Sequence, residues 1–188
     1  MQAFQSMSDA HLSLKSQFFL AMKTAINSVR RLREGSKNIF LKLENMRYPL
    51  KNWKRLKRGY SFGAKTFYSD FHLGTDYLVP DGTPVFAPLK CEIVKVGNFP
   101  EGGNTIHVKM MEKEYGLLVM RLMHLSKVFP LGKYKAGEIL GRTGNTGSLT
   151  RGPHLHIDLS RGKVKTGVCK NFIDPDKFFS LRPSRRRN

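Results

Sequence analysis

The chain has 188 residues, 40% of them hydrophobic, so it is long enough for one domain of ordinary size plus an appendage. Its two cysteines exclude a fold built on disulfides, and no apolar run approaches the length of a transmembrane helix. The 33 Lys and Arg residues against 14 Asp and Glu residues give a net charge of +19, which predicts an anionic partner.

The first predicted element is an amphipathic α-helix over residues 8–34. Ser8 and Asp9 are residue types that cap a helix N-terminus, and Gly35 fits its C-terminal end. Apolar residues recur near the helical period of 3.6, namely Leu12, Phe19, Met22, Ile26, Val29 and Leu32. A shorter helix is expected over residues 37–47. Two roles stay open for the apolar face: packing on the domain or a partner chain, and docking onto a larger assembly or a membrane surface.

Positive charge is concentrated at both ends of the sequence. Residues 1–60 carry 13 basic and 3 acidic side chains, a net of +10, and residues 182–187 form a dense basic tail. Nucleic acid is the default partner of so basic a chain, while the tail can also consist of solvated side chains with no partner. The first basic residue is Lys15 and the apolar run 18–22 is five residues long, so we expect no secretory signal.

From about residue 60 the pattern changes to short β segments separated by Gly, Pro and Asn turns. Helix signals are scarce after residue 50. Strands are predicted at residues 69–78, 84–88, 91–97, 104–110, 116–123, 138–143 and 154–160. The sequence therefore predicts a mainly β fold, an antiparallel folded or barrel-like sheet preceded by an amphipathic helical segment.

Four of the six histidines fall in three short stretches that can be assembled into one metal site. The stretches are His72-Leu73-Gly74-Thr75-Asp76, Met123-His124-Leu125 and Gly152-Pro153-His154-Leu155-His156. Side chains alternate along a strand, so His154 and His156 point the same way, and an extended chain also places His72 and Asp76 on one face. A helix would pair residues four apart as well, but Gly74 and its aromatic and β-branched neighbours favour extended chain. A zinc hydrolase needs three protein ligands and one open position for water, which this set can supply with side chains left over for proton transfer.

In this order along the chain, the three stretches and four others resemble the lysostaphin/LytM-like zinc endopeptidases of peptidoglycan, the M23 peptidases. The other matching words are Pro80-Asp81-Gly82-Thr83-Pro84-Val85-Phe86-Ala87, Gly103-Asn104-Thr105-Ile106, Ala136-Gly137-Glu138-Ile139-Leu140-Gly141 and Gly144-Asn145-Thr146-Gly147. The resemblance covers about seven tenths of the chain, from about Tyr48 to Leu181. Two departures are Lys65, where members often carry arginine in a Phe-Gly-x-Arg word, and Cys91, where a turn glycine is common.

The resemblance implies a zinc ion bound by His72, Asp76 and His156, with His154 and His124 acting in catalysis. No ligand position is missing, whereas some members have lost ligands and act as regulators. The implied activity is hydrolysis of peptide cross-links in bacterial peptidoglycan. The rival hypotheses are a non-catalytic wall-binding or amidase-activating module, and a structural virion component that binds an anionic partner.

A wall enzyme without an export signal is typical of bacteriophages, so we expect a phage lysin or a virion-associated enzyme that acts on the cell wall or periplasm. For such an enzyme, an anionic wall polymer or membrane lipid is as good a partner for the basic segment as nucleic acid. The predicted organisation is a basic helical segment at 1–47, the peptidase domain at 48–181 and a basic tail at 182–188.

Three further residue types receive structural interpretations. Strand alternation places His107 on a polar face, as a surface histidine rather than a ligand. Asp158 is interpreted first as a surface carboxylate and second as a group that orients the His156 imidazole. Cys91 and Cys169 are interpreted as free buried thiols rather than a disulfide.

Overall fold

The structure, a computed structural model, describes residues 22–31, 48–162 and 171–180. The chain divides into two units, Met1–Leu43 and Glu44–Asn188. Among the described residues, no helix is both long enough and apolar enough to cross a membrane. The three domain ranges stay predictions.

In the first unit, residues 22–31 form helix α1, which lies inside the predicted helix 8–34. Its larger apolar side chains, Met22, Ile26 and Val29, are at least half exposed. They recur at the spacing of one helix face, so α1 presents an apolar stripe to solvent. The rest of that predicted helix, the predicted second helix and the basic tail lie outside the described residues.

The described part of the second unit is built from β-strands, with a 3₁₀ turn at Trp53–Arg55 before them and a short helix, α2 (Pro175–Ser180), after them. The strands are β1 (Gly74–Tyr77), β2 (Pro84–Phe86), β3 (Cys91–Phe99), β4 (Gly103–Glu112), β5 (Gly116–Met123), β6 (Lys127–Val128), β7 (Gly132–Tyr134), β8 (Ile139–Arg142), β9 (Leu155–Arg161) and β10 (Phe172–Ile173). The main antiparallel sheet has the order β1-β9-β5-β4-β3-β7, with β10 also paired to β9. A second sheet has the order β2-β8-β6.

The predicted antiparallel β fold is confirmed, and a strand is present in each of the seven predicted ranges. The first range is the least accurate, because only Gly74–Tyr77 of residues 69–78 is strand. His72 therefore lies in the loop before β1, and the prediction that it shares a strand face with Asp76 is wrong. Turns precede it, with Gly63 at a φ of +79° and the backbone N–H groups of Tyr68 and Ser69 donating to the Thr66 hydroxyl.

One face of the main sheet packs into the hydrophobic core. Leu155, Ile157 and Leu159 of β9 are fully buried there, as strand alternation predicts. Trp53 packs on Tyr77 of β1, with ring centroids 4.0 Å apart. Each such apolar side chain contributes about 1.5–3 kcal/mol when it is fully buried. This packing fixes β1 and β9 side by side.

The opposite face of the same strands is polar, yet it is also buried. His156 and Asp158 of β9 are 8% and 0% exposed, and Asp76 of β1 is 8% exposed. In the β1–β9 register Asp76 lies directly opposite His156, and Gly74 lies opposite Asp158. Buried polar groups are costly unless they are paired, so the polar residues on this face are candidates for a functional site.

Candidate metal centre and active site

Three side chains converge on the polar face at the β1 end of the main sheet. His72 Nε2 lies 3.0 Å from His156 Nδ1, His156 Nδ1 lies 2.8 Å from Asp76 Oδ1, and His72 Nε2 lies 3.4 Å from Asp76 Oδ1. These residues form a group that could hold a metal ion. Donor atoms of a tetrahedral zinc site with bonds of about 2.0–2.2 Å lie about 3.3–3.6 Å apart, so this triangle is close to the size that zinc requires.

Strand pairing and a loop bring the three donors together. Asp76 and His156 are direct cross-strand neighbours of β1 and β9, and such neighbours have Cβ atoms about 4.5–5.5 Å apart. The backbone of His72 is tied to the preceding loop, since its N–H donates to Ala64 O and its carbonyl accepts from Gly63 N–H. His72 Nδ1 lies 3.3 Å from Ser61 O, which leaves Nε2 for the cluster.

Gly74 makes room for the His156 ring. A Cβ atom at position 74 would lie 2.3 Å from Ile157 O and 2.7 Å from His156 Nε2. Both distances are shorter than any real Cβ contact, and the carbonyl belongs to the paired strand β9. The glycine between His72 and Asp76 is therefore required by the close approach of two strands, not by a turn.

His154 and His124 lie beside the cluster and face each other, with ring centroids 4.6 Å apart. His154 Nδ1 donates to Gly152 O at 2.9 Å, and His124 Nδ1 donates to Thr146 O at 2.8 Å, because a carbonyl oxygen can only accept. Each ring therefore keeps Nε2 as a proton acceptor. His154 Nε2 lies 3.7 Å from Asp76 Oδ1, next to the cluster.

His124 has two further unusual features. Its φ of +63° is rare for a residue other than glycine, and such backbone costs about 1–3 kcal/mol and clusters at functional sites. Burial lowers the pKa of His124 to about 4, despite its hydrogen bond to the Thr146 carbonyl. The ring is therefore neutral at pH 7 and can accept a proton.

For two other titrating groups of the cluster, Asp76 and His156, the surroundings favour the charged form. Although burial disfavours its carboxylate form, hydrogen bonds from His156 and His72 hold the pKa of Asp76 well below its usual range. Burial also disfavours a charged His156, but interactions with Asp158 and Asp76 outweigh it and raise the pKa of His156 to about 9. Without metal, His156 is therefore a cation that holds a proton where a metal ion would bind.

The interpretation of Asp158 as a surface carboxylate is wrong. Asp158 is fully buried, and its Oδ2 lies 3.5 Å from His156 Nε2. Arg121 of β5 donates to both of its oxygens, a partner that the sequence analysis missed. Strand alternation could have placed Arg121 and Asp158 on the polar faces of β5 and β9. It could not have predicted that the two residues lie opposite each other. His107, opposite Arg121 on β4, is half-buried and lies outside the described donor group.

The sequence matches the family model described as Peptidase family M23 over residues 70–168, just over half of the chain. It is 38% identical over 104 residues to the peptidoglycan DD-endopeptidase ShyA of Vibrio cholerae, a match that covers 53% of this chain and 23% of ShyA. Lysostaphin of Staphylococcus simulans is also 38% identical, over 105 residues that cover 54% of this chain and 21% of lysostaphin. The chain thus spans less than a quarter of these two relatives.

Two solved structures share the fold. The catalytic domain of lysostaphin from Staphylococcus simulans superposes with a TM-score of 0.61 at 29% identity, covering 71% of this chain and 99% of that one. The catalytic domain of the prophage-encoded M23 protein EnpA from Enterococcus faecalis superposes with a TM-score of 0.53 at 28% identity, covering 69% and 95%. Both matches extend over nearly the whole of a catalytic domain.

Proposed function

The chain belongs to peptidase family M23, and we propose that it is a zinc-dependent endopeptidase that cuts peptide cross-links of bacterial peptidoglycan. The observation that carries the proposal is the triangle of donor atoms on His72, Asp76 and His156, with two further imidazoles beside it. Two relatives support the substrate class. ShyA is named a peptidoglycan DD-endopeptidase, and lysostaphin is described as an antimicrobial peptidase.

The donor set fits zinc in kind as well as in size. Two imidazole nitrogens and one carboxylate oxygen are the ligand combination of hydrolytic zinc sites, which leave a fourth position open. The pairing of Asp76 keeps its carboxylate ionised at neutral pH. When bound, zinc supplies Lewis-acid polarisation and makes water nucleophilic near neutral pH.

His154 is proposed as the general base. Its Nε2 is an acceptor and is held beside the cluster, 3.7 Å from Asp76 Oδ1, while Nδ1–H is anchored on Gly152 O. That anchoring fixes the ring so that Nε2 can take a proton from the attacking water. General bases of this kind contribute about 10²–10⁴-fold to the rate.

His124 is proposed to accept, at Nε2, the proton that His154 takes from the attacking water. The resulting cation would stabilise the developing negative charge and then give the proton to the leaving amine. Because burial keeps its ring neutral at pH 7, its Nε2 can donate only after it has taken a proton. A proton accepted there is released readily, since the pKa of about 4 disfavours the charged ring. The hydrogen bond from Nδ1 to Thr146 O holds the His124 ring in place, with its centroid 4.6 Å from that of His154.

The complete donor set favours an enzyme over a non-catalytic wall-binding module. We also propose that the enzyme is a phage lysin or a virion component, which the likeness to a prophage-encoded M23 protein supports. In this proposal the basic segment 1–47 attaches the peptidase domain 48–181 to an anionic wall polymer or to a particle. The net charge of +10 over residues 1–60 supports that role.

The decisive experiment is digestion of defined muropeptides by the purified chain, with mass analysis of the products and zinc content measured alongside. We expect one zinc per chain and cleavage of a peptide cross-link. His156→Ala should lose both, whereas His107→Gln, a histidine change outside the donor group, should keep both. Cleavage of glycan strands only, or full zinc occupancy in His156→Ala, would contradict the proposal.

A further inference from the structure

Arg121 and Asp158 form a buried ion pair on the polar face of the main sheet. The two residues are cross-strand neighbours of β5 and β9. Arg121 Nε lies 3.0 and 2.8 Å from the two Asp158 oxygens, and an Nη atom of Arg121 lies 2.6 Å from Oδ2. The Asp158 side chain is 0% exposed and that of Arg121 is 13% exposed. A buried carboxylate is costly unless it is well paired, and Arg121 supplies that pairing for Asp158.

The pair lies behind the His156 ring. Asp158 Oδ2 is 3.5 Å from His156 Nε2, at the long end of hydrogen-bond distance. On the other side of the ring, Nδ1 faces Asp76 and His72. A carboxylate can only accept, so it favours a proton on Nε2 and leaves the Nδ1 lone pair toward the cluster.

The ring also has little freedom to turn away. Gly74 lies against the same edge, since a Cβ atom there would be 2.7 Å from Nε2 and 2.8 Å from Cε1 of His156. Asp158 is itself held by the Arg121 guanidinium at both oxygens, so it cannot rotate freely toward the donor triangle.

We propose that Arg121 is a positioning residue for the metal centre. Through Asp158 it fixes the tautomer and the orientation in which His156 offers Nδ1 to the metal. This inference rests on the metal site of the proposed function. Groups that orient metal-binding histidines in this way are worth about 10–100-fold in metal affinity.

The competing explanation is that the ion pair only joins β5 to β9. The two explanations differ in what a variant changes: a structural pair alters stability alone, whereas a positioning pair alters zinc affinity in a protein that remains folded. Asp158→Asn keeps the size of the side chain and removes its charge. The double variant Arg121→Met with Asp158→Leu removes both charges, so that no unpaired charge is buried.

The test is zinc affinity of the full chain, measured by competition with a chromogenic chelator, together with thermal unfolding of the metal-free protein. We expect both variants to bind zinc about 10–100-fold more weakly than the original chain. Asp176→Asn is the matched control, because it removes the charge of another ion pair, Arg58 to Asp176 at 2.7 Å. It should lower the melting temperature and leave zinc affinity unchanged.

NMR of the zinc-loaded chain gives a second readout that stability alone would not change. We expect a slowly exchanging Nε2–H proton on His156, and its faster exchange in the Arg121→Met, Asp158→Leu variant. Wild-type zinc affinity in the folded double variant would overturn the inference and leave the proposed function intact. A chain that binds no zinc at all would overturn the proposed function instead.

Discussion

Gly74→Ala tests whether the short approach between β1 and β9 sets the geometry of the metal centre. The added methyl group would lie 2.3 Å from Ile157 O and 2.7 Å from His156 Nε2. The carbonyl is fixed by strand pairing, so either β1 moves away from β9 or the His156 ring turns away from Asp76. Overpacking of this kind costs about 1–3 kcal/mol, which for a domain of this size lowers the melting temperature by roughly 3–10 °C.

The expected signature of Gly74→Ala is a joint loss of stability and zinc affinity. We expect zinc binding to weaken by about tenfold or more, since either movement separates His156 Nδ1 from the other two donors. Gly152→Ala is the matched control, because a Cβ atom there meets no other atom within 4 Å. Circular dichroism melting and chelator competition measure the two quantities. If Gly74→Ala matched Gly152→Ala in both, the steric argument would be wrong.

Three further predictions address the chemistry and the basic segment. His154→Ala and His124→Ala should keep zinc but lose about 10²–10⁴ in turnover; a variant that also loses zinc would make that residue a ligand. Because the pKa of metal-free His156 is about 9, zinc must displace its proton at pH 7, and the apparent zinc affinity should rise with pH up to about 9. A zinc affinity that does not change with pH would contradict this raised pKa. The same pKa shift stabilises the metal-free fold, fully below the unfolded pKa of about 6.5, and this stabilisation is lost as pH rises through 9. Deleting residues 1–46 should keep cleavage of soluble muropeptides but weaken sedimentation with purified wall, more so at low salt, where charges act over about 10 Å; equal binding by both chains at every salt would exclude a targeting role.

Strand alternation predicted the relative placement of His154, just before β9, and His156 on β9. The residues His154 and His156, separated by one position, occupy the polar face together, while Leu155 and Ile157 are fully buried on the other. That inference is local, because it needs only the period of two that every strand has. The sequence alone is therefore enough for this prediction, and the full burial of Leu155 and Ile157 agrees with it.

The parts that the sequence did not predict depend on pairing between distant strands. Asp158 is predicted as a surface carboxylate because its buried partner, Arg121, lies 37 residues away and meets it only through the β5–β9 register. His72 looked like a strand residue because aromatic and β-branched neighbours favour extended chain. Its loop is instead set by side-chain hydrogen bonds of Thr66 and the left-handed Gly63, which a propensity argument does not resolve.

Two of the matching motifs contribute no side chain to the site, but they make contacts between distant parts of the chain. They are Gly103-Asn104-Thr105-Ile106 and Gly144-Asn145-Thr146-Gly147. A Cβ atom on Gly103 would lie 2.3 Å from the Thr146 carbonyl carbon, so the glycine lets two distant loops touch. Thr146 Oγ1 accepts from Asn104 N–H at 2.9 Å, which fixes that contact. The Thr146 carbonyl is then in place to accept from His124 Nδ1 and leave its Nε2 free. These two motifs therefore hold the proposed proton-transfer residue in position indirectly, and replacing Gly103 should disturb His124 although Gly103 contributes no side chain to the site.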